Sequence, residues 1–208
     1  TGVAMGDTVL RGIDVAAGAT LELSLSTFEG LGECALRIDG TVDATNVLVA
    51  RARDGIVLGS QGELTLRHAT IAECDASGDG IGIDNTLFGT LSIEHSIVWG
   101  NGGADLDGVA CSDMGWSVTG SPDCSSVGGN LSLDPIFELP GSDDRLSAVS
   151  PALDHGPDPA TYPGDPCSDL DGGQRLRDHD GDGLAEVDPG AYERENATLV
   201  PGVVGGLR

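Results

Sequence analysis

Apolar and polar residues alternate along short segments that repeat through the first half of the chain. Residues 64–71 read LTLRHATI, and residues 91–98 read LSIEHSIV, matching position by position at a constant offset. Residues 21–28 fit the same template, and residues 47–52 fit it loosely. Alternation of this kind is typical of a β-strand with one buried face. The pattern therefore predicts a series of equivalent strands.

A second, shorter apolar segment follows each copy, after a glycine-rich turn. These segments cover residues 35–38, 55–58, 80–83 and 104–106. Strand pairs that recur roughly every 17 to 27 residues, with no helical period between them, indicate the stacked coils of a solenoid. Leucine-rich repeats would need a convex helix, and propellers would need about 40 residues per blade. The sequence therefore predicts an all-β fold, a right-handed parallel β-helix.

The constant offset also predicts which side chains become neighbours. Arg67 and Glu94 occupy equivalent positions on successive coils, so we expect them to form an exposed ion pair. His68 and His95 coincide in the same way. A stacked imidazole pair could bind a metal or exchange protons, although a structural ladder at a turn is the more ordinary arrangement.

The charge balance excludes several partners. The 208 residues carry 34 acidic and 10 basic side chains, a net charge of -24. Such a surface repels nucleic acid, anionic membranes and polyanionic sugars unless cations screen it. No run of about 18 apolar residues occurs, so we expect no membrane insertion. Divalent ions would offset the acidic self-repulsion, which makes calcium dependence a hypothesis.

Five cysteines are present, and none lies in a CxxC pair that would indicate a zinc or redox site. Cys111 and Cys124 flank a turn-rich segment, and we predict a disulfide between them, as in an exported protein. The odd count leaves at least one thiol unpaired within the chain. The pairing of Cys34, Cys74 and Cys167 stays open.

An aspartate-rich loop near the C-terminus predicts a calcium site. Carboxylates at alternate positions before a glycine converge on one hard cation in such loops. Pro189 stands where an EF-hand has its bidentate glutamate, so an irregular oxygen cage is expected instead, and an acidic, solvated turn is the alternative. The predicted ligands are Asp178, Asp180, Asp182, the Leu184 carbonyl, Glu186 or a water, and Asp188.

Three further residues are candidates for contacts. Asp169 and Asp171 line either a second ion or a turn, and turn capping is the more ordinary role for such residues. Trp99 aligns one place beyond the repeated strand and is the best candidate for contact with a sugar or a partner chain.

From about residue 128 the repeat gives way to five ordered motifs. They are GN-x-S-x-DP-x-F at 129–137, SPA-x-D-x-G at 150–156, DLDG-x-x-R at 169–175, D-x-DGDG at 178–183 and D-x-GAYE at 188–193. This set resembles the C-terminal part of bacterial secreted β-helix proteins of the choice-of-anchor type, relatives of the pectate-lyase-like superfamily. The resemblance implies export to a bacterial surface, a right-handed β-helix, and an anchoring segment after GAYE.

The motifs suggest three parts: β-helix coils at 1–127, a cap at 128–195, and a tail or truncated anchor linker at 196–208. The tail departs from the family pattern, because it has no hydrophobic span and no basic end. No amphipathic capping helix precedes the first coil. We therefore expect a fragment of a longer solenoid, or a subunit whose open N-terminal coil docks on another chain.

Two functional hypotheses follow. The first is a non-enzymatic, calcium-stabilised extracellular protein that acts as a stalk, an adhesin or an assembly subunit. Its partner would be another protein chain at the open coil, or a cell-surface glycan. The second is a carbohydrate-active β-helix enzyme, a lyase or hydrolase, or a carbohydrate-binding module. No catalytic residue is assigned, because paired carboxylates do not recur at equivalent positions and no nucleophile motif occurs.

Overall fold

The computed structural model describes residues 12–75, 79–157, 168–179 and 183–195. These residues form a parallel β-solenoid of about five turns, which confirms the predicted all-β, parallel solenoid. Two short 3-10 turns cover Cys111–Asp113 and Pro122–Cys124. The strands are β1 (Ile13–Val15), β2 (Thr20–Glu29), β3 (Cys34–Ile38), β4 (Thr41–Ala50), β5 (Asp54–Leu58), β6 (Glu63–Ala72), β7 (Ile81–Asp84), β8 (Thr90–Glu94), β9 (Ile97–Trp99), β10 (Ala104–Asp107), β11 (Met114–Gly115), β12 (Val118–Thr119), β13 (Phe137–Leu139) and β14 (Asp143–Leu146).

Each coil contributes one short and one long strand to two parallel sheets. The short-strand sheet has the order β1-β3-β5-β7-β10, and the long-strand sheet has the order β2-β4-β6-β8-β11, with β9 between β6 and β12. Leu21, Val42, Leu64 and Leu91 lie in one column across the long strands. The predicted offset between the repeats is thus the register of the sheet.

A left-handed residue bends each long strand at the same place. Leu25, Asn46, His68, His95 and Trp116 have φ angles between 49° and 55° and occupy equivalent positions on successive coils. A positive φ at a residue other than glycine costs about 1–2 kcal/mol, so its repetition marks a corner that the surrounding sheet enforces. We call these positions the corner column.

The two halves of each long strand bury their side chains differently. Before the corner β4 alternates between buried and more exposed residues, whereas after it Val47, Leu48, Val49 and Ala50 are all buried. Val47 and Val49 pack in the solenoid core, and Leu48 and Ala50 pack against Ala191 of the C-terminal segment. The second half is therefore covered on both faces, which explains its uninterrupted apolar sequence.

Aliphatic columns fill the interior of the solenoid. Leu36, Ile56 and Ile83 stack along the short-strand sheet, and Leu66 and Ile93 stack along the long-strand sheet, all without solvent exposure. Full burial of each such side chain contributes about 1.5–3 kcal/mol to stability. A chain with few aromatic residues can fill a core of this kind because the columns need only small and branched side chains.

The C-terminal coils end in a disulfide and a β-hairpin. The predicted disulfide between Cys111 and Cys124 is present and closes a loop of 13 residues. Such a bridge stabilises a protein by about 3 kcal/mol, mainly by restricting the unfolded chain. Cys34 and Cys74 are buried free thiols, and Cys167 lies outside the described residues. Beyond this point β13 and β14 pair in antiparallel fashion.

The predicted neighbours on the coils are in place. Arg67 Nε lies 3.5 Å from Glu94 Oε2, and Arg67 Nη1 lies 3.7 Å from Asp43 Oδ1. These half-exposed ion pairs link three successive long strands, which favours the observed register more than it adds to stability.

Candidate functional site

The segments that carry the C-terminal motifs lie on the outer face of the long strands. Gly190 N donates to the carbonyl of His95 at 2.8 Å, and Ala191 N donates to Thr70 Oγ1 at 3.0 Å. Leu170 N donates in turn to the Ala191 carbonyl at 2.9 Å. Residues 188–193 thus bind the coils directly, and the segment around Leu170 binds to residues 188–193.

Arg175 is the central polar residue of this contact and is completely buried. Its Nε and Nη2 donate to Asn46 Oδ1 at 3.2 and 2.6 Å, and Nη2 also donates to the carbonyls of Gly190 and Ala191 at 3.0 Å. Asn46 belongs to the corner column of β4. One guanidinium therefore joins the GAYE motif to the solenoid, an arrangement that suits the planar fork of arginine.

Asp169 closes a turn, and Asp171 forms an ion pair. The Asp169 carboxylate accepts from the backbone N–H groups of Asp171 at 3.1 Å, Gly173 at 2.6 Å and Glu193 at 2.9 Å. The Asp171 carboxylate binds Arg145, whose guanidinium lies over the ring of Tyr192. Of the two predicted roles for these aspartates, the contacts of Asp169 are those of a turn cap.

Asp154, His179 and Asp188 come together from three separate segments. His179 Nδ1 lies 3.1 Å from Asp154 Oδ1 and 4.0 Å from Asp188 Oδ1. The side chain of His179 is 4% exposed, that of Asp154 is 5% exposed, and that of Asp188 is 0% exposed. The Asp188 oxygens accept from Asp154 N at 2.8 Å and Arg194 N at 2.9 Å. Burial is the main cause that raises the pKa of Asp188, although the hydrogen bonds oppose it.

Glu193 extends this group of buried acids. Its Oε2 accepts from Asp188 N at 3.0 Å and lies 3.9 Å from Arg175 Nη1, while Oε1 has no hydrogen-bond partner among the described residues. Burial, followed by the charge of Asp188, raises the pKa of Glu193 to about 10. The interface between cap and coil therefore holds more acid than base.

The predicted calcium loop is described only in part. Asp178 Oδ2 accepts from Gly183 N at 3.0 Å. Asp180 and Asp182, two further predicted ligands, lie outside the described residues. Leu184 is exposed, and Glu186 pairs with Arg177 through the backbone. The last predicted ligand, Asp188, is buried beside His179. Calcium binding by these residues stays a prediction.

The two coinciding histidines lie beneath the same cap. His68 and His95 are fully buried in the corner column, and His68 Nε2 lies 3.4 Å from His95 Nδ1. The Gly190 contact to the His95 carbonyl is part of the cap interface described above. The stacked pair that the repeat predicted is therefore an internal feature of the coil corner.

Trp99 is partly exposed and separates two hollows on the solenoid surface. One, of about 240 Å³, is also lined by Ile136 and Phe137, and the other, of about 490 Å³, is also lined by Asn101 and Asp105. The Asp105 carboxylate accepts from Asn101 N and Gly120 N, so it is held by the backbone around it. These hollows offer contacts to a ligand rather than a pair of free carboxylates.

Comparison with protein families, with characterised proteins and with solved structures found no match to this chain. Within the described ranges, no helix has the length and apolar character needed to cross a membrane.

The sequence did not indicate the partners of the cap residues. Asn46, Asp154 and His179 were not among the predicted site residues. Asn46 is a polar residue at the corner position of β4, directly before the apolar residues 47–50. It was the one sequence signal of a polar contact there.

Proposed function

We propose that this chain is a non-enzymatic, calcium-stabilised surface or assembly protein that docks another protein chain on its first coil. The observation that carries the proposal is the unpaired edge of β2 within the described residues. This ten-residue strand pairs only with β4 within the part of the chain that the structure describes. A long strand with one unpaired edge is a template for strand addition.

The apolar face of the first coil supports the same proposal. Leu21, Leu23 and Phe28 of β2 are only partly buried, whereas the residues at the equivalent positions of β4 have at most 1% exposure. Leu25 is 56% exposed at the corner. Burying these side chains would add about 25 cal/mol for each Å² of apolar surface removed from water.

Charges around this end define the chemistry of the partner. Asp14 and Glu22 are exposed beside the apolar face. A partner that adds a strand to β2 would then present alternating apolar residues and a basic rim, since like charges across an interface repel. The strand β2 itself carries no basic residue that a second copy would present in this way.

Hydrogen exchange of the isolated chain tests the open coil. We expect amides of β2 to exchange much faster than those of β4, because half of the β2 amides lack a strand partner. Sedimentation at rising concentration shows whether a second copy occupies the edge; Leu23→Lys would abolish that association, and Leu139→Lys on the exposed hairpin is the control. A monomer whose β2 is as protected as β4 would contradict docking.

Calcium binding and export complete the proposal. The loop closed by Asp178 and Gly183 carries the acidic spacing of a calcium site, and the net charge favours divalent cations. The disulfide suits an oxidising compartment. The ordered motifs resemble those of secreted choice-of-anchor proteins, which supports a right-handed coil and an extracellular or bacterial cell-surface location.

A carbohydrate-binding module is the second candidate, and Trp99 favours it. An indole at the ridge between two hollows can stack on a sugar ring. A glycan array probed with the wild type would show bound glycans that Trp99→Ala loses, while Trp116→Ala, at the partly exposed end of the corner column, retains them. An identical profile for Trp99→Ala and wild type would end this candidate, and with it a role for these hollows in a carbohydrate-active enzyme.

A further inference from the structure

The cap contains a mixed group of nitrogen and oxygen ligands that the calcium hypothesis does not use. Asp154 follows the SPA motif, His179 lies next to Asp178, and Asp188 begins the GAYE motif. One ligand atom from each lies within 4.8 Å of the other two. Three segments far apart in sequence thus place three metal-ligating atoms around one point.

The ring of His179 directs its Nδ1 at the two aspartates. Its Nε2 lies 2.5 Å from the carbonyl oxygen of Arg194, which can only accept, so Nε2 is the donor of that hydrogen bond. Nδ1 therefore faces Asp154 Oδ1 at 3.1 Å and Asp188 Oδ1 at 4.0 Å. A metal ion bound to Nδ1 would lie next to both carboxylates.

Buried acidic groups around this point are a second observation. The cap interface buries the side chains of Asp154, Asp188 and Glu193 beside the guanidinium of Arg175. Glu193 Oε1 is buried and has no hydrogen-bond partner in the described ranges. A carboxylate that stays ionised in a buried interface is costly unless a cation offsets its charge.

Hydrogen bonds to neighbouring backbone groups hold the three candidate ligands in place. The second oxygen of Asp154 accepts from His179 N at 2.7 Å, and both oxygens of Asp188 accept backbone N–H groups. His179 donates its other ring proton to a carbonyl, as metal-binding histidines generally do. These bonds orient the three side chains toward one point.

The ligand types select the metal. Calcium prefers oxygen ligands throughout, whereas an imidazole with carboxylates suits zinc and related first-row ions. Zinc bonds of about 2.0–2.2 Å in a tetrahedron place neighbouring ligand atoms about 3.3–3.6 Å apart. The distance of 3.1 Å from Nδ1 to Asp154 Oδ1 is within about 0.5 Å of that range, and the distance of 4.0 Å to Asp188 Oδ1 would shorten by less than about 1 Å.

We infer that Asp154, His179 and Asp188 form a structural binding site for a first-row transition metal ion, Zn²⁺ foremost, which joins three of the five motifs of the cap. Asp188 then belongs to this site and not to the predicted calcium cage. The remaining predicted calcium ligands are Asp178, Asp180, Asp182, Leu184 and Glu186. The metal site does not depend on docking at β2. Nor does it depend on calcium binding by the loop.

Calorimetric titration of the chelator-treated chain with Zn²⁺ tests the site. We expect one binding event that raises the melting temperature, with Zn²⁺ affinity at least about tenfold weaker in His179→Gln. His155→Gln is the matched control, since His155 binds the Gly129 carbonyl, and it should bind Zn²⁺ as the wild type does. Asp178→Asn should weaken the response to Ca²⁺ while leaving Zn²⁺ binding intact, which separates this inference from the calcium proposal.

X-ray absorption of the zinc-loaded wild type gives a second measurement should His179→Gln fail to fold. We expect one imidazole and oxygen ligands at about 2.0–2.2 Å. Absence of Zn²⁺ binding by the wild type, or equal affinity in a folded His179→Gln variant, would overturn the inference and leave an ion pair of protonated His179 with its two aspartates. Two or more imidazoles in the spectrum would also overturn it, because the site offers one.

Discussion

Glu193 is a residue whose acid–base behaviour is changed strongly by its surroundings. It ends the GAYE motif, yet its side chain is buried between Arg175 and the backbone of Asp188. Loss of hydration and the nearby Asp188 charge raise its pKa to about 10, whereas the pKa of an unfolded glutamate is about 4.3. At neutral pH the metal-free folded state therefore holds a proton that the unfolded state releases.

The raised pKa gives a signed prediction for stability. The contribution of Glu193 is fully present below about pH 4.3 and is lost as pH rises toward about 10, because only the folded state keeps the proton. Glu193→Gln keeps the shape without the charge, so it should reduce the fall in unfolding free energy between about pH 5 and 9. Urea unfolding of chelator-treated protein measures this fall. Glu138→Gln, on an exposed side chain, is the control, and parallel curves for Glu193→Gln and wild type would contradict the prediction.

Apart from the disulfide between Cys111 and Cys124, sequence patterns predicted residue contacts only where the repeat sets the spacing. Arg67 and Glu94 were predicted as neighbours because equal positions on successive coils must lie side by side. Arg175 and Asn46 are 129 residues apart, and no period connects an irregular cap to a coil corner. Their contact depends on where several loops fold together, which alternation and turn chemistry do not specify.

At the scale of elements, the long strands depend on the cap. The second halves of β4 and β6 bury both faces, and the outer face is covered by the segment around Ala191. Their first halves alternate, as a strand with a solvated face does. Repeat and alternation therefore predicted the strands and their register, whereas the apolar run after the corner gave no indication of which segment covers it.

Removing Arg175 should detach the cap while the coils stay folded. Arg175→Met leaves Asn46 Oδ1, the Gly190 and Ala191 carbonyls and Glu193 with fewer buried donors. Loss of one partner from a buried charged network costs about 3–5 kcal/mol. Hydrogen exchange should therefore increase in residues 188–193 far more than in β3 and β5.

Arg53→Met is the matched control for this change. Arg53 is about half exposed and lies 3.8 Å from Asp54, so its loss should cost at most about 1 kcal/mol. If Arg175→Met leaves exchange at 188–193 unchanged, the guanidinium does not hold the cap. An equal increase in β3 and β5 would show instead that cap and coils unfold as one unit.

At the scale of the whole molecule, stability depends on two different effects of cations. The net charge of -24 produces a repulsion among the acidic side chains of the surface. Any dissolved salt reduces this repulsion, because at moderate ionic strength screening weakens interactions between charges more than about 10 Å apart. A calcium ion bound in the loop closed by Asp178 would act differently, because it stabilises only the folded state by mass action. The two effects separate when salts are compared at equal ionic strength.

Calcium should therefore raise the melting temperature beyond the effect of sodium at the same ionic strength. Calcium at about 100 times its dissociation constant contributes about 2.7 kcal/mol, which corresponds to roughly 5–10 °C for a chain of this size. Differential scanning fluorimetry in CaCl₂, MgCl₂ and NaCl measures the difference. Asp178→Asn should lose the calcium-specific part and keep the screening part, whereas His179→Gln should keep both. Equal shifts in CaCl₂ and NaCl would mean that the acidic loop is a solvated turn, and that the charge of the whole surface alone accounts for the response to cations.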